Sequence, residues 1–192
     1  DEDPAVRSAA SNLLAALRNK SVDVVAVTMI EYAVLSREIH FAPIFVTTAG
    51  GQTREQYLVL VNRDNGIERL SDLRGRSLAF HENARDCLAQ PWLDTQLITE
   101  TGKSTADWLG KITQSPKLAR VVLPVFFHQC DACVVDRTGF ETMCELNPQV
   151  GKQLKIIAQS PEVVPAVFCF RADYAPAFKE QLFQGIRDLN KT

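Results

Sequence analysis

The polar stretch at residues 81–86, His-Glu-Asn-Ala-Arg-Asp, carries the side chains best suited to hold a ligand. It follows an apolar, strand-like segment at residues 77–80 and leads into a helical pattern through Trp92 and Leu97. In α/β proteins, loops between a strand and the N-terminus of a helix commonly bind ligands, and anions in particular. Glu82 and Asp86 would compete with an anion there. Two interpretations stay open: contact between this loop and a ligand, or Asp86 acting only as a helix cap.

A second pattern with chemical potential is the pair Cys130 and Cys133. No second cysteine pair and no paired histidines follow at the spacing of a zinc site, and in a strand the two side chains would point to opposite faces. Packing, or a disulfide with another of the five cysteines, is therefore expected. The three histidines are scattered, and Gly50-Gly51 lacks the Lys-Ser/Thr of a phosphate loop. We predict no catalytic residue, metal or cofactor, and hence no enzyme.

Composition limits the other classes of function. The chain has 192 residues, of which 46% are hydrophobic and 23% charged, with a formal net charge of −2. This is the profile of a folded protein, and the absence of a basic excess argues against nucleic-acid binding. The longest apolar run, at residues 121–127, is too short to span a membrane. The first residues, Asp-Glu-Asp-Pro, lack the features of a secretory leader, which indicates either a cytosolic protein or a leader removed before residue 1.

The elements that must position these residues alternate between helix and short apolar strand, which predicts an α/β fold with parallel sheets. Helices are predicted at residues 4–19, 30–36, 67–75, 118–128, 138–146 with Thr138 as its cap, and 175–189, and another follows the loop at 81–86 and runs through Trp92 and Leu97. Strands are predicted at residues 24–27, 41–47, 57–62, 77–80, 131–136, 155–158 and 163–170, with a turn at Gly50-Gly51. Asp23 and Asp131 each precede an apolar strand, where we expect them to cap turns or bond backbone amides.

The order of segments resembles a type II periplasmic binding protein of the phosphate/phosphonate type, the solute-binding component of ABC transporters. The motifs that carry the resemblance are Asn19-Lys-Ser-Val-Asp-Val-Val25 with Glu31-Tyr32, Tyr57-Leu-Val-Leu-Val61, Leu70-Ser-Asp-Leu-Arg-Gly-Arg-Ser-Leu-Ala-Phe80, His128-Gln-Cys-Asp-Ala-Cys-Val-Val-Asp136 and residues 154–171. They occur in the family's order over nearly the whole chain. Where the family has a Ser/Thr-rich anion loop, this chain has residues 81–84.

The resemblance implies two lobes, each a mostly parallel sheet flanked by helices, with a ligand cleft between them. Lobe one would comprise residues 1–62 and 163–192, lobe two residues 63–162, and the hinges would lie near 57–65 and 159–165. The ligand would be small and anionic or zwitterionic. The expected contacts are Thr28, Tyr32, Tyr57, His81, Glu82, Asn83, Ser115, Lys117 and Asp136. The resemblance also implies a periplasmic or other extracytoplasmic location, at most peripheral to the membrane, and an ABC permease or sensor kinase as partner.

Other functions remain open at the level of sequence. The same fold serves as the ligand-sensing domain of a regulator or sensor kinase, and some enzymes are built on it. For individual residues the alternatives are plain packing of the two tyrosines, a solvated Lys117, and Asp136 simply ending its strand. The cleft could also have lost its ligand, because the anion loop is altered.

Overall fold

The computed structural model of the chain describes residues 4–46, 51–174, 177 and 179–188. Its α-helices are α1 (Pro4–Arg18), α2 (Met29–Leu35), α3 (Ala89–Thr101), α4 (Thr105–Trp108), α5 (Leu118–Phe126), α6 (Arg137–Leu146), α7 (Pro148–Gln153) and α8 (Lys179–Asp188). Its strands are β1 (Val24–Thr28), β2 (Phe41–Val46), β3 (Tyr57–Asn62), β4 (Ser77–His81), β5 (Lys111–Ser115), β6 (Ala132–Asp136), β7 (Leu154–Gln159) and β8 (Ala166–Arg171). Short 3-10 helices lie at Arg63–Asn65, Leu70–Leu73 and Ala84–Asp86.

The first sheet contains three strands in the order β1-β8-β2, and β8 runs antiparallel to both neighbours. Its core combines side chains of α1 and α2 with those of the sheet, namely Leu17, Val25, Val27, Leu35, Phe41, Val167 and Cys169. Alternate residues of β1 point into this core, which is the period-2 pattern of a sheet covered by helices.

The second sheet contains five strands in the order β5-β4-β6-β3-β7. Strand β4 is parallel to β5 and β6, whereas β3 is antiparallel to β6 and β7. All six residues of β3 are buried because hydrophobic clusters cover both of its faces. Tyr57, Val59 and Val61 belong to the cluster that includes α3, and Leu58 and Leu60 to the one that includes α5. A strand that is covered on both faces, as β3 is, therefore requires a nearly continuous apolar sequence.

Two segments connect the sheets, before β3 and after β7, and they bond to each other. The backbone N–H of Glu55 donates to the carbonyl of Val163 at 2.8 Å, and that of Val163 donates to Glu55 at 2.8 Å. The lobe boundaries predicted from the sequence assigned residues 57–62 to lobe one. In the structure these residues pair with β6 and β7, so the second sheet begins at Tyr57. The two hinge segments stay a prediction.

The mixed α/β architecture with two sheets confirms the predicted fold class: apart from β3 and β8, the described strands of each sheet run in one direction. Strands β3 and β8 each enter their sheet from a crossing segment and run against their neighbours, a direction that an apolar run does not encode. The helix predicted at residues 67–75 is the 3-10 helix Leu70–Leu73. The cap of α6 is Asp136 rather than Thr138.

Three elements, α4, β5 and α7, were not predicted. Four of the five residues of β5 are exposed, so this edge strand lacks the apolar pattern by which the others are recognised. Thr47 and Gly50, as well as residues 175, 176, 178 and 189 of the expected last helix, lie outside the described residues. None of the described helices has the length and apolar character needed to cross a membrane.

Candidate functional site

The candidate site lies where β4 and β6 end. His81 and Asp136 are the last residues of these two strands, which are parallel neighbours. Parallel neighbours present their carboxyl ends at the same sheet edge, so the two side chains meet there. Nδ1 of His81 lies 3.7 Å from Oδ2 of Asp136.

The loop after β4 adds a second carboxylate. The amide oxygen of Asn83 accepts a hydrogen bond from the N–H of Arg85 at 2.7 Å and caps the 3-10 helix Ala84–Asp86. The same side chain donates through Nδ2 to Oδ2 of Asp86 at 2.6 Å. Oδ2 of Asp86 also lies 2.8 Å from Nδ1 of His81. The local turn therefore holds Asp86 against the histidine.

Asp136 is oriented by the helix that follows it. Its Oδ1 accepts a hydrogen bond from the N–H of Gly139 at 2.6 Å, which caps α6. A Cβ at position 139 would lie 2.8 Å from Oδ2 of Asp136, so glycine leaves the room that this carboxylate needs. The second oxygen of Asp136 is thereby directed toward His81.

Burial gives Asp86 unusual electrostatics. Its side chain is only 4% exposed, and Oδ1 has no hydrogen-bond partner among the described residues. Burial, followed by the negative charge of Asp136, raises the pKa of Asp86 well above the usual range of a carboxyl, although the charge and hydrogen bond of His81 act in the opposite direction. An unpaired acceptor in such a place is costly, and a donor or cation would stabilise it.

The residue before Asp86 in the chain, Arg85, supplies a cation to the site. Nε of Arg85 forms an ion pair with Oε1 of Glu55 at 2.5 Å, and Glu55 is the residue bonded to Val163 between the sheets. Nη2 of Arg85 is buried without a hydrogen-bond partner in the described part of the chain. The backbone carbonyl of Arg85 accepts a hydrogen bond from the hydroxyl of Tyr57 at 2.8 Å. Burial, with smaller contributions from neighbouring acidic groups, raises the pKa of Tyr57, so the phenol stays a donor.

A cavity of about 750 Å³ opens beside these groups. Its polar end is formed by Gln52, Glu55, Asn83, Arg85, Asp86 and Asp136. Its other walls are largely apolar and come from α5, α6 and the start of α7, including Leu118, Leu123, Met143, Leu146 and Val150. A concave apolar pocket with a few convergent polar groups is the usual form of a small-molecule site.

The structure brings some of the predicted contact residues together. His81, Asn83 and Asp136 form one cluster, and Tyr57 is joined to it through Arg85. Ser115 and Lys117 lie at the entry to α5, where the hydroxyl of Ser115 accepts from the N–H of Lys117 at 3.2 Å. That helix start continues into Leu118 and Ala119 of the cavity wall.

Three predicted residues have other surroundings. The side chain of Thr28 caps α2 in a reciprocal pair with Glu31, and Tyr32 packs against Phe41 with ring centroids 5.9 Å apart. Glu82 is exposed. These contacts give Thr28 and Tyr32 local structural partners, and their role as ligand contacts stays a prediction.

Sequence reasoning left Glu55, Arg85 and Asp86 out of its predicted contacts. The loop that contains Arg85 and Asp86 was recognised, but its amino-acid sequence does not show which of its side chains point into the cavity. Glu55 carried no signal, because it meets Arg85 only through the tertiary fold, 30 residues along the chain.

The remaining candidates have structural roles. All five cysteines are free, Cys133 is buried in the sheet, and Cys130 donates a weak hydrogen bond to the carbonyl of Ala132. Packing is therefore the role of this pair. Asp131 bonds the backbone N–H of Ser77 at 2.8 Å, as predicted for a strand-entry residue, and Asp23 pairs with Arg171 at 2.7 Å.

Two α/β sheets joined by two crossing segments, with a polar-ended cavity beside one of them, define the type II periplasmic-binding-protein fold. The family described as the periplasmic substrate-binding protein of phosphonate ABC transporters matches residues 4–192. The chain belongs to this family.

Solved structures agree on the fold. A Xanthomonas citri protein bound to ATP has 21% sequence identity and a TM-score of 0.65, with 90% of this chain and 66% of that one covered. A binding-protein component of an ABC phosphonate transporter from Pseudomonas aeruginosa has 16% identity and a TM-score of 0.60, with 91% and 59% covered. PhnD1 from Prochlorococcus marinus in complex with methylphosphonate has 14% identity and a TM-score of 0.54, with 95% and 67% covered.

The chain thus spans about two thirds or less of the length of the Xanthomonas and Pseudomonas proteins. No curated protein matches the sequence.

Proposed function

We propose that this chain is the ligand-binding part of an extracytoplasmic solute-binding protein, not an enzyme, and that it captures a small zwitterionic, phosphonate-like molecule for an ABC permease. Membership in the phosphonate-binding family supports the class of protein. The cavity beside the crossing segments supports the place of binding, and its polar end supports the charge type of the ligand.

The observation that carries the proposal is a pair of buried atoms, one donor and one acceptor, on adjacent residues, neither of which has a hydrogen-bond partner in the described parts of the chain. Oδ1 of Asp86 is an acceptor and Nη2 of Arg85 is a donor, and both residues line the cavity. A zwitterion satisfies both, because its ammonium group donates to Asp86 while its anionic group accepts from Arg85. A simple anion satisfies only the donor and would lie near Glu55, Asp86 and Asp136 without compensation.

Further groups support the same orientation. Asp136 lies beside Asp86 and offers a second acceptor for the ammonium group. The N-terminus of α5, which has no side-chain cap and follows Lys117, is a favourable neighbour for the anionic group. The apolar side of the cavity leaves room for a ligand with a hydrocarbon substituent.

The proposed mechanism couples binding to closure of the lobes. Glu55 connects the two processes, since its carboxylate holds Arg85 and its backbone pairs with Val163 between the sheets. A ligand held by Arg85 would stabilise one arrangement of these crossing segments, near the predicted hinges at 57–65 and 159–165. A permease, or a sensor kinase in the alternative, would then recognise the closed form.

Calorimetric titration in the presence of a chelator tests the charge type. We expect 2-aminoethylphosphonate to bind about 10- to 150-fold more tightly than ethylphosphonate, because it adds a hydrogen bond to a charged group, worth about 1.5–3 kcal/mol. Asp86→Asn should remove this preference. The control Asp107→Asn replaces an exposed residue of α4, whose carboxylate accepts a hydrogen bond from the capping Ser104, and should keep the preference. Tighter binding of ethylphosphonate, or no binding of either compound, would refute the proposal.

A further inference from the structure

His81, Asp86 and Asp136 offer one imidazole nitrogen and two carboxylate oxygens that all lie within 4.8 Å of one another. We propose that these three side chains form a binding site for a divalent transition-metal cation. The proposal goes beyond the proposed function and does not depend on it, because it concerns a cation that binds without a phosphonate.

The carboxylates are held in a way that leaves one oxygen of each free for a metal. Oδ1 of Asp136 is engaged by the N–H of Gly139, so Oδ2 faces the imidazole at 3.7 Å. Oδ2 of Asp86 is engaged by Asn83, and among the described residues Oδ1 has no hydrogen-bond partner although the side chain is only 4% exposed. Such supporting hydrogen bonds are the outer-shell contacts that orient metal ligands.

The distances fit a small cation after minor side-chain rotation. Ligand atoms at about 2.1 Å from a tetrahedral metal lie roughly 3.4 Å from one another. The separation of 3.7 Å between Nδ1 of His81 and Oδ2 of Asp136 is close to that value. The 2.8 Å contact between Nδ1 of His81 and Oδ2 of Asp86 would open as the Asp86 carboxylate rotates to present Oδ1 to the metal. Two carboxylates also balance the charge of a divalent cation.

The donor set selects the class of metal. An imidazole nitrogen with carboxylates suits zinc and its first-row neighbours, whereas calcium and magnesium prefer oxygen ligands alone. Three protein ligands leave at least one coordination position for water or a bound molecule. Asp86 lines both the main cavity and a smaller one of about 160 Å³ that His81 also lines, so the cation has a path of entry.

The test is titration of the chelator-treated protein with Zn²⁺ by calorimetry and with Co²⁺ by visible absorption, without any phosphonate. We expect one equivalent to bind, with cobalt bands typical of nitrogen and oxygen ligands. His81→Ala and Asp86→Asn should each weaken binding by at least about tenfold. The matched control His40→Ala replaces an exposed histidine outside the cluster and should bind as the native chain does.

Asp136→Asn provides a second variant that preserves the fold, because asparagine caps helices as well as aspartate does. It should also weaken zinc binding. Failure to bind zinc, equal affinity in His81→Ala, or a thiolate-to-cobalt band from the free cysteines would overturn the proposal. Since phosphonate binding is measured with chelator and metal binding without phosphonate, the failure of one proposal is distinguishable from the failure of the other.

Discussion

The ion pair between Arg85 and Glu55 links the candidate pocket to the segments that join the sheets, and it offers the sharpest test of the site. The Glu55 side chain is 11% exposed and that of Arg85 is 24% exposed, with Nε and Oε1 2.5 Å apart. Arg85→Gln would remove a ligand donor and also leave Glu55 as a largely buried, unpaired carboxylate. The double variant Arg85→Gln/Glu55→Gln removes the donor without leaving that charge.

The two variants should therefore separate ligand binding from stability. Breaking one partner of a buried pair costs about 3 kcal/mol or more, whereas replacing both partners costs much less. We expect the single variant to be clearly less stable than the native chain and the double variant to recover most of the loss. Both should bind 2-aminoethylphosphonate about 10- to 150-fold more weakly, because each loses one charge-assisted hydrogen bond of about 1.5–3 kcal/mol.

Calorimetric titration gives the dissociation constants, and urea denaturation followed by fluorescence gives the stabilities. The control replaces both Lys155 and Glu68 by glutamine. These two residues form an ion pair between β7 and the loop before the second 3-10 helix, and neither of them lines the main cavity. Native affinity in the Arg85→Gln/Glu55→Gln double variant would show that Arg85 does not contact the ligand. A fully stable Arg85→Gln variant would refute the reasoning about Glu55.

Two further predictions concern the framework that positions the site. At pH 7, Asp131→Asn should lower the free energy of unfolding by about 1–2 kcal/mol, measured by urea denaturation, because Oδ2 accepts two hydrogen bonds from Ser77 and Oδ1 pairs with Arg76. Gly110→Ala should destabilise the second sheet by about 1–3 kcal/mol, measured by thermal unfolding, because a Cβ there would overlap the carbonyl of Gly75.

Each of these has a control. Burial pushes the pKa of Asp131 upward, but the hydrogen bonds of Ser77 and the charge of Arg76 together outweigh it, so the pKa is lowered. A lowered pKa contributes stability above the unfolded value of about 3.9 that disappears as the pH falls through the folded value. The deficit of Asp131→Asn should therefore shrink below about pH 4, and a constant deficit would contradict this account.

For Gly110 the control is Gly185→Ala in α8, where no atom of the residues that the structure describes lies within 4 Å of the added Cβ. Alanine is favoured over glycine within a helix by about 1 kcal/mol, so this variant should be as stable as the native chain or more so. If Gly110→Ala unfolds at the same temperature as the native chain, the close approach between residue 110 and the carbonyl of Gly75 does not affect stability.

Much of the fold was predictable because local pattern and burial agree. Strand β3 reads as a continuous apolar run, and it is buried on both faces. The loop at residues 81–86 was recognised because an apolar strand ends there and a helix follows. Strand β5 was missed because it lies exposed at the edge of the sheet, where its residues need not be apolar.

The sequence by itself determined most of the segments that become helices and strands, the family to which they belong, and the loop that carries the polar residues. These features depend on local propensity and on apolar periodicity, which are set by residues that are close together in the sequence. Only the tertiary structure decided that β3 joins the second sheet and that Glu55, Arg85, Asp86 and Asp136 surround one cavity. The cavity lining includes residues as far apart in the sequence as Glu55 and Asp136, which are separated by 81 positions. Their convergence depends on strand pairing and burial, which no short stretch of sequence encodes.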